Sequence, residues 1–337
     1  MHNLPPRRLA VAPMLDWTDK HYRHMARQIT RHSWLYSEMI NAGAIIHGDK
    51  TRFLMFNEGE NPLALQLGGS EPADLAKAAK AAEDYGYNEV NLNCGCPSPR
   101  VQKGAFGACL MNEAALVADC LNAMQDAVQI PVTVKHRIGV DRQTEYSTVA
   151  DFVGTLRKQT ACRTYIVHAR NAWLQGLSPK ENRDIPPLRY EVVRQLKADF
   201  PQFTFAINGG FTTDEAVQEQ LQHLDGVMVG REAYHNPWWL ARWDALYYSE
   251  QGGKPCPLTR EEVELAMVEY MEREAAQYGT PWAHIARHML GLRHSLAGAR
   301  IWRQVWSNHL LKDRPAREVY HLAQQAVAES LANHQEH

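Results

Sequence analysis

The sequence predicts an α/β fold: a TIM (β/α)8 barrel followed by a C-terminal all-α helical-bundle domain. Over the first 245 residues, short β-branched or apolar runs alternate with helix-like stretches, and beyond residue 257 the pattern is purely helical. The length agrees, since 337 residues exceed the roughly 250 of a barrel and leave enough for one small extra domain. The expected organisation is a barrel over 1–247, a linker over 248–257 and a helical domain over 258–337.

The strands expected are 9–15, 34–40, 62–68, 89–94, 131–137, 164–169, 203–208 and 225–229. Between them lie helical patterns at 71–85, 112–127, 145–159, 189–199 and 213–222. Ser70-Glu-Pro, Asn112-Glu and Thr213-Asp-Glu offer helix-start signals, with an N-cap and acids in the first turn. Eight strands interleaved with helices close into a parallel barrel. A doubly wound sheet needs a glycine-rich fingerprint after its first strand, and the run from Ala12 to Asp19 has no glycine. Residues 248–257, with Gly252-Gly253 and two prolines, read as the linker. Helices follow at 259–278, 281–296, 299–311 and 315–333, enough to share a core.

Composition narrows the function classes. The N-terminus has no long apolar run before Asp16, so neither signal peptide nor membrane anchor is expected, and the cytoplasm is the default. Six scattered cysteines read as reduced thiols. Cys94 and Cys96 form a lone C-x-C with no second pair, so no metal is expected. A formal net charge of −2 draws no nucleic acid to the molecule as a whole. A local patch is different: from Trp282 to Arg314 there are six cations (Arg287, Arg293, Arg300, Arg303, Lys312 and Arg314) against one acid, Asp313. His284 and His288 have i, i+4 spacing without an intervening glutamate and read as surface or RNA-facing. Trp302 and Trp306 read as core of the helical domain.

Active sites of such barrels form at the C-terminal strand ends. The polar residues there are Met14/Asp16, Glu38/Asn41, Gln66, Asn91/Asn93/Cys96, Lys135/Arg137, His168/Arg170, Asn208-Gly209-Gly210 and Gly230-Arg231. The last two clusters occupy the usual phosphate position of the fold, where glycine N–H groups, a helix N-terminus and Arg231 favour an anion. Taken alone, N-G-G is equally a tight turn. Lys135 suits the negative charge that a reduced flavin gathers, or pairs with Glu38 or Asp16. Gln66 suits a flavin ring edge or is a satisfied core amide. His168 suits a phosphate or ring edge, or binds backbone. Cys96, between Gly95 and Pro97 and followed by the loop Lys103–Ala108, points a thiol into the mouth as nucleophile or general acid. Cys94 alternates away from the side that Asn93 uses and packs.

The runs A-P-M-L-D-W-T-D (12–19), A-L-Q-L-G-G (64–69), N-L-N-C-G-C-P-S (91–98), V-K-H-R (134–137), I-V-H-A-R (166–170), N-G-G (208–210) and V-M-V-G-R (227–231) resemble the tRNA-dihydrouridine synthases. S-P-K-E-N-R-D-I-P-P-L (178–188) and R-H-M-L-G-L (287–292) are similar to the bacterial A subfamily. Cys94 departs from the aliphatic residue of the relatives, and the G-C-P context favours Cys96. The resemblance implies bound FMN, NADPH as electron donor, and reduction of uridines 20 and 20a in the tRNA D-loop; a monomer is expected, although the sequence does not fix the oligomeric state. It further implies that Pro13, Met14, Leu15, Gln66, Lys135, His168, Asn208, Gly209, Gly210, Gly230 and Arg231 hold FMN. Cys96 is then the proton donor to C5 while hydride reaches C6, and Asn93, Lys180, Arg183, Arg300 and Arg303 contact tRNA. Lys180/Arg183 and Arg300/Arg303 are each three apart, which on a helix presents two cations on one face. A solvated charged face is the alternative for each pair.

Overall fold

A computed structural model describes residues 4–335. Its strands are β1 (Leu9–Val11), β2 (Trp34–Asn41), β3 (Leu63–Gly68), β4 (Glu89–Cys94), β5 (Val132–Arg137), β6 (Thr164–His168), β7 (Thr204–Asn208) and β8 (Gly226–Val229). They pair in sequence order, all parallel, and β8 returns to β1 to close the barrel. Every strand matches its expected segment within a residue or so at either end, except β1, which stops at Val11. It ends early because Met14 O accepts from Trp17 N and Thr18 N, and Asp16 turns to φ 63°.

The helices are α1 (Lys20–Ile29), α2 (Ala42–His47), α3 (Lys50–Leu54), α4 (Pro72–Tyr85), α5 (Pro99–Lys103), α6 (Ala114–Ala127), α7 (Tyr146–Gln159), α8 (Tyr190–Asp199) and α9 (Asp214–Leu221). They continue with α10 (Arg231–His235), α11 (Trp243–Tyr247), α12 (Arg260–Tyr278), α13 (Trp282–Met289), α14 (Ala299–Trp306) and α15 (Ala316–Gln335). Thr213 caps α9 through its hydroxyl. Ser70 and Asn112 cap nothing: the N-cap positions of α4 and α6 are one residue later, Glu71 and Glu113, and neither makes a side-chain cap bond. The expected helix 281–296 stops at Met289, and 299–311 breaks after Trp306 into a short 3-10 turn at His309–Leu311. Among the described residues no helix is long and apolar enough to cross a membrane.

The chain divides into two compact units: the described residues up to Thr18 with Ser33–Gly230, and Asp19–His32 with the chain from Arg231 onward. In the first, side chains of alternate strand residues fill the barrel. Ala10, Ala12, Trp34, Tyr36, Ala64, Ile166, Ala206 and Met228 form one apolar cluster. On the same parity β3, β4 and β5 carry Gln66, then Glu89, Asn91 and Asn93, then Thr133, Lys135 and Arg137. The interior is therefore apolar on one side and polar on the other, an arrangement that only hydrogen bonding can sustain at such burial.

The second unit joins α1 to the C-terminal helices. Asp19 caps α1 by accepting from His21 N and Tyr22 N, and its other oxygen takes Arg287 (2.7 Å) and His288 (2.9 Å) from α13. Tyr22 donates to Ala233 O (2.7 Å), and Lys20 pairs with Glu274 (2.8 Å). Residues 248–257, expected as linker, are bonded within this unit: Gly253 N donates to Tyr248 O (2.8 Å) and Cys256 N to Ala241 O (2.8 Å).

Candidate functional site

At the end of β4 the chain turns so that Cys96 is held from several directions. Asn93 Oδ1 accepts from Gly95 N (3.1 Å) and Cys96 N (3.0 Å), which shapes the turn. Cys96 O accepts from Ala108 N (2.9 Å), and Arg137 Nε donates to Gly95 O (3.1 Å). Gly107, at φ +80°, permits the loop to close this tightly, because a Cβ there would lie 2.5 Å from Cys96 O. The thiol is half-buried, whereas Cys94 on the opposite parity is fully buried, as alternation along the strand requires.

Around this turn the mouth is cationic. Lys135 has no carboxylate partner, so the expected alternative of an ion pair with Glu38 or Asp16 is not what forms. Loss of solvent, with Arg137 beside it, pushes its ammonium down to about 7, and the Cys96 side chain pulls the other way. Arg137 donates only to backbone carbonyls, those of Gly95, Asn171 (3.3 Å) and Asn182 (3.0 Å), and burial moves it down to about 9. The imidazole of His168 lies against Gly209, 3.0 Å from where a Cβ would stand. Burial, then Arg137, Lys135, Arg170 and Arg183, hold it well below its usual value, so it is neutral at pH 7. Lys135 and Arg137, two depressed cations with no acid to relieve them among the described residues, make with the neutral His168 imidazole a site prepared for an anion.

The glycine cluster after β7 is more than a turn. Gly209 and Gly210 take φ +128° and +78°, and a Cβ at either would strike Leu188, at 2.8 and 2.6 Å. Tyr190 Oη donates to Gly209 O (2.6 Å), and Asn208 Nδ2 donates to Met228 O (2.8 Å), tying β7 to β8. Gly230 follows β8, and Arg231, next in the chain, opens α10. Pro13, Met14 and Leu15 follow β1: Met14 packs on the apolar cluster and Leu15 is 70% exposed.

One expectation changes, that for His288. Gln66 keeps both of its readings: Nε2 donates to Asn91 Oδ1 (2.8 Å) and Oε1 accepts from Asn93 Nδ2 (2.9 Å), as a core amide would, with one N–H and one lone pair left over for a ligand. His288 is not surface or RNA-facing but fully buried, between Asp19 and Tyr234. Sequence reasoning missed Glu89 and Thr133 in the barrel interior, where the signal was a run of polar residues at inward parity, and Ser37, which stands at the register shift of β2 on β3. Ser37 Oγ accepts from Gln66 N (3.0 Å).

The cations expected to meet RNA fall on both units. Lys180 and Arg183 flank a 3-10 turn, are exposed, and share a side because its repeat is three. In the second unit Arg300 and Arg303 are exposed on α14, whose other face buries Ala299, Trp302 and Trp306. Arg293, counted with them from the sequence, is instead buried in a two-pronged ion pair with Glu264 (2.7 and 2.8 Å) and stacked 4.0 Å from the ring centre of Trp302.

Residues 10–330 match the dihydrouridine synthase (Dus) family. The chain is 53% identical over 322 residues to the tRNA-dihydrouridine(20/20a) synthase of Pseudomonas aeruginosa, covering 96% of each chain. It is 55% identical over 307 residues to the protein of the same name from Escherichia coli K12, covering 90% of this chain and 87% of that one. To the protein of that name from Shewanella oneidensis it is 52% identical over 325 residues, covering 96% and 95%.

Proposed function

Because the chain belongs to the dihydrouridine synthase family, we propose that it reduces uridine to 5,6-dihydrouridine at positions 20 and 20a of the tRNA D-loop. The observation that carries the reading is the Cys96 turn set beside Lys135 and Arg137, two depressed cations that no carboxylate engages. FMN fits that mouth: Gly210 exposes backbone at a left-handed φ of +78° that favours glycine, and neither Lys135 nor His168 is engaged by a carboxylate. Asn208, Gly209 and Gly210 would hold its phosphate tail, with Gly230 and Arg231 as the sequence suggests. Pro13, Met14, Leu15, Gln66, Lys135 and His168 would line its ring. When bound, that group supplies to C6 of the uracil a hydride whose electrons come from NADPH.

The chain's own residues do the rest. Cys96 delivers its proton to C5, so that the C5–C6 double bond gains one hydride and one proton, and solvent restores the thiol. Lys135 and Arg137 supply positive charge beside the sulfur. The uracil must leave its stack to reach a barrel mouth, which requires a grip on the surrounding backbone. Exposed Lys180 and Arg183 on the barrel unit and Arg300 and Arg303 on the helical unit provide it through phosphates, with Asn93 at the base. The protein acts as a cytoplasmic monomer.

The test is direct. Purified protein shows flavin absorbance, and expression in a strain lacking its own synthase restores dihydrouridine at 20 and 20a by mass mapping. Cys96→Ala keeps the colour but loses roughly 10²-fold or more in rate. A colourless protein that takes up no FMN, or undiminished dihydrouridine with Cys96→Ala, would overturn the reading.

A further inference from the structure

An unbroken file of hydrogen bonds runs through the barrel interior from the Cys96 turn. Cys96 N donates to Asn93 Oδ1 (3.0 Å), Asn93 Nδ2 to Gln66 Oε1 (2.9 Å), and Gln66 Nε2 to Asn91 Oδ1 (2.8 Å). Asn91 Nδ2 then donates to Thr133 Oγ1 (2.8 Å), and Thr133 Oγ1 to Glu89 Oε1 (2.5 Å). Glu89 also receives Tyr36 Oη (2.8 Å) and pairs with Arg7. Every side chain in the file is buried, none more than 7% exposed. The strand register makes it possible, for Gln66 stands beside Asn91 and Asn91 beside Thr133 across three strands.

From this arrangement we infer that Glu89 is a positioning residue for Cys96, acting across the barrel by fixing which way each amide in the file faces. The inference rests on the reading of Cys96 as proton donor. Its logic lies in the ends. An ionised carboxylate only accepts, so Thr133 must donate to it and the Thr133 oxygen must receive an N–H from Asn91. That turns the Asn91 carbonyl oxygen towards Gln66, the Gln66 oxygen towards Asn93, and the Asn93 oxygen towards the Cys96 turn. The backbone N–H groups of Gly95 and Cys96 only donate, so they demand the same orientation. Reverse the file and an NH2 group would face those two N–H donors, the turn would lose its acceptors, and the sulfur would lose its place.

Glu89→Gln relaxes that constraint, because the new amide can donate to Thr133 as well as accept from it, so that only the Gly95 and Cys96 N–H groups still hold the file in its forward orientation and the reversed one becomes populated. In the FMN-loaded variant, amide hydrogen exchange at Gly95 and Cys96 accelerates at least about tenfold while exchange in β7 and β8 stays at the wild-type rate. Oxidation of the reduced enzyme by tRNA slows roughly tenfold to a hundredfold, the scale for a misplaced reacting group. NADPH-dependent reduction and FMN content hold. Thr133→Val cuts the file without touching the Arg7–Glu89 pair and gives the same pattern should Glu89→Gln fold poorly; Thr133→Ser rescues it. Asn93→Asp supplies the sharpest outcome. With carboxylates at both ends the file has one proton too few, so the single variant is destabilised, and adding Glu89→Gln restores both stability and protection of Gly95 and Cys96. The exchange arm reads the file even if the protein makes no dihydrouridine. Unchanged exchange at Gly95 and Cys96, equal slowing of the NADPH and tRNA steps, or a double variant no better than Asn93→Asp would overturn the inference.

Discussion

Gly230 offers a perturbation whose effects on stability and on ligand binding separate. A Cβ at this position meets nothing nearer than Ala12 Cβ and Met14 Sδ, both 4.0 Å away, and the residue does not sit at left-handed φ. Gly230→Ala therefore introduces neither clash nor backbone strain, and by restricting the unfolded chain it stabilises the FMN-free protein by about 0.4–1 kcal/mol. The thermal midpoint should rise by ~1–3 °C. If the open space beside Gly230 is where a phosphate approaches the backbone, the same methyl group now stands in the way. Overpacking of that kind costs about 1–3 kcal/mol, or roughly a five- to hundredfold loss of FMN affinity. Flavin fluorescence quenching on titration into FMN-free protein measures the affinity, and calorimetry the midpoint. By contrast, Gly210→Ala at φ +78° would strike Leu188 at 2.6 Å and lose both together. Wild-type FMN affinity in Gly230→Ala would remove Gly230 from the phosphate site.

The remaining predictions concern charge. Lys135 titrates at about 7 in the fold, against about 10.4 unfolded, so between those values the unfolded chain holds more protons and this residue's contribution makes stability rise with pH. With FMN removed, Lys135→Met should be more stable than wild type below pH 7, and the margin should shrink from pH 7 to 10; a constant margin would mean that the ammonium is not strained. Paired Arg300→Ala and Arg303→Ala substitutions should weaken tRNA binding and reduce the slope of log affinity against log salt by about 0.7–0.9 per lost phosphate contact, with unchanged thermal stability. Arg293→Met should do the reverse, costing about 3–5 kcal/mol by stranding Glu264 while leaving the salt slope alone.

The barrel was legible because parallel strands buried on both faces write themselves as short apolar runs at regular intervals. The polar site was legible because β3, β4 and β5 break that rule: Gln66, Asn91, Asn93 and Lys135 interrupt apolar strands at inward positions, where a polar side chain needs a partner or a ligand. What the sequence left open was which of the two it would be. Gln66 and Asn93 turn out to satisfy each other, whereas Lys135 remains without an acid. That choice depends on strand register, here a relation between residues as far apart as Gln66 and Asn91, or Asn91 and Thr133.

The same limit explains the C-terminal cations. Arg293 and Arg300 belong to one basic window, seven residues apart, and nothing local distinguishes them. Glu264, 29 residues earlier, makes Arg293 a core residue, and the side of α14 that buries Trp302 makes Arg300 a surface one. For His288 the deciding partner is Asp19, 269 residues away. Its carboxylate accepts from two backbone amides, an arginine and a histidine, and despite burial it is held well below the usual carboxylate range, first by the His288 hydrogen bond. A basic window therefore sets only the number of charges; how many of them reach phosphate is decided by acids elsewhere in the chain. Among the described residues, three of the six cations in this window, Arg287, Arg293 and Arg314, are ion-paired with acids outside it.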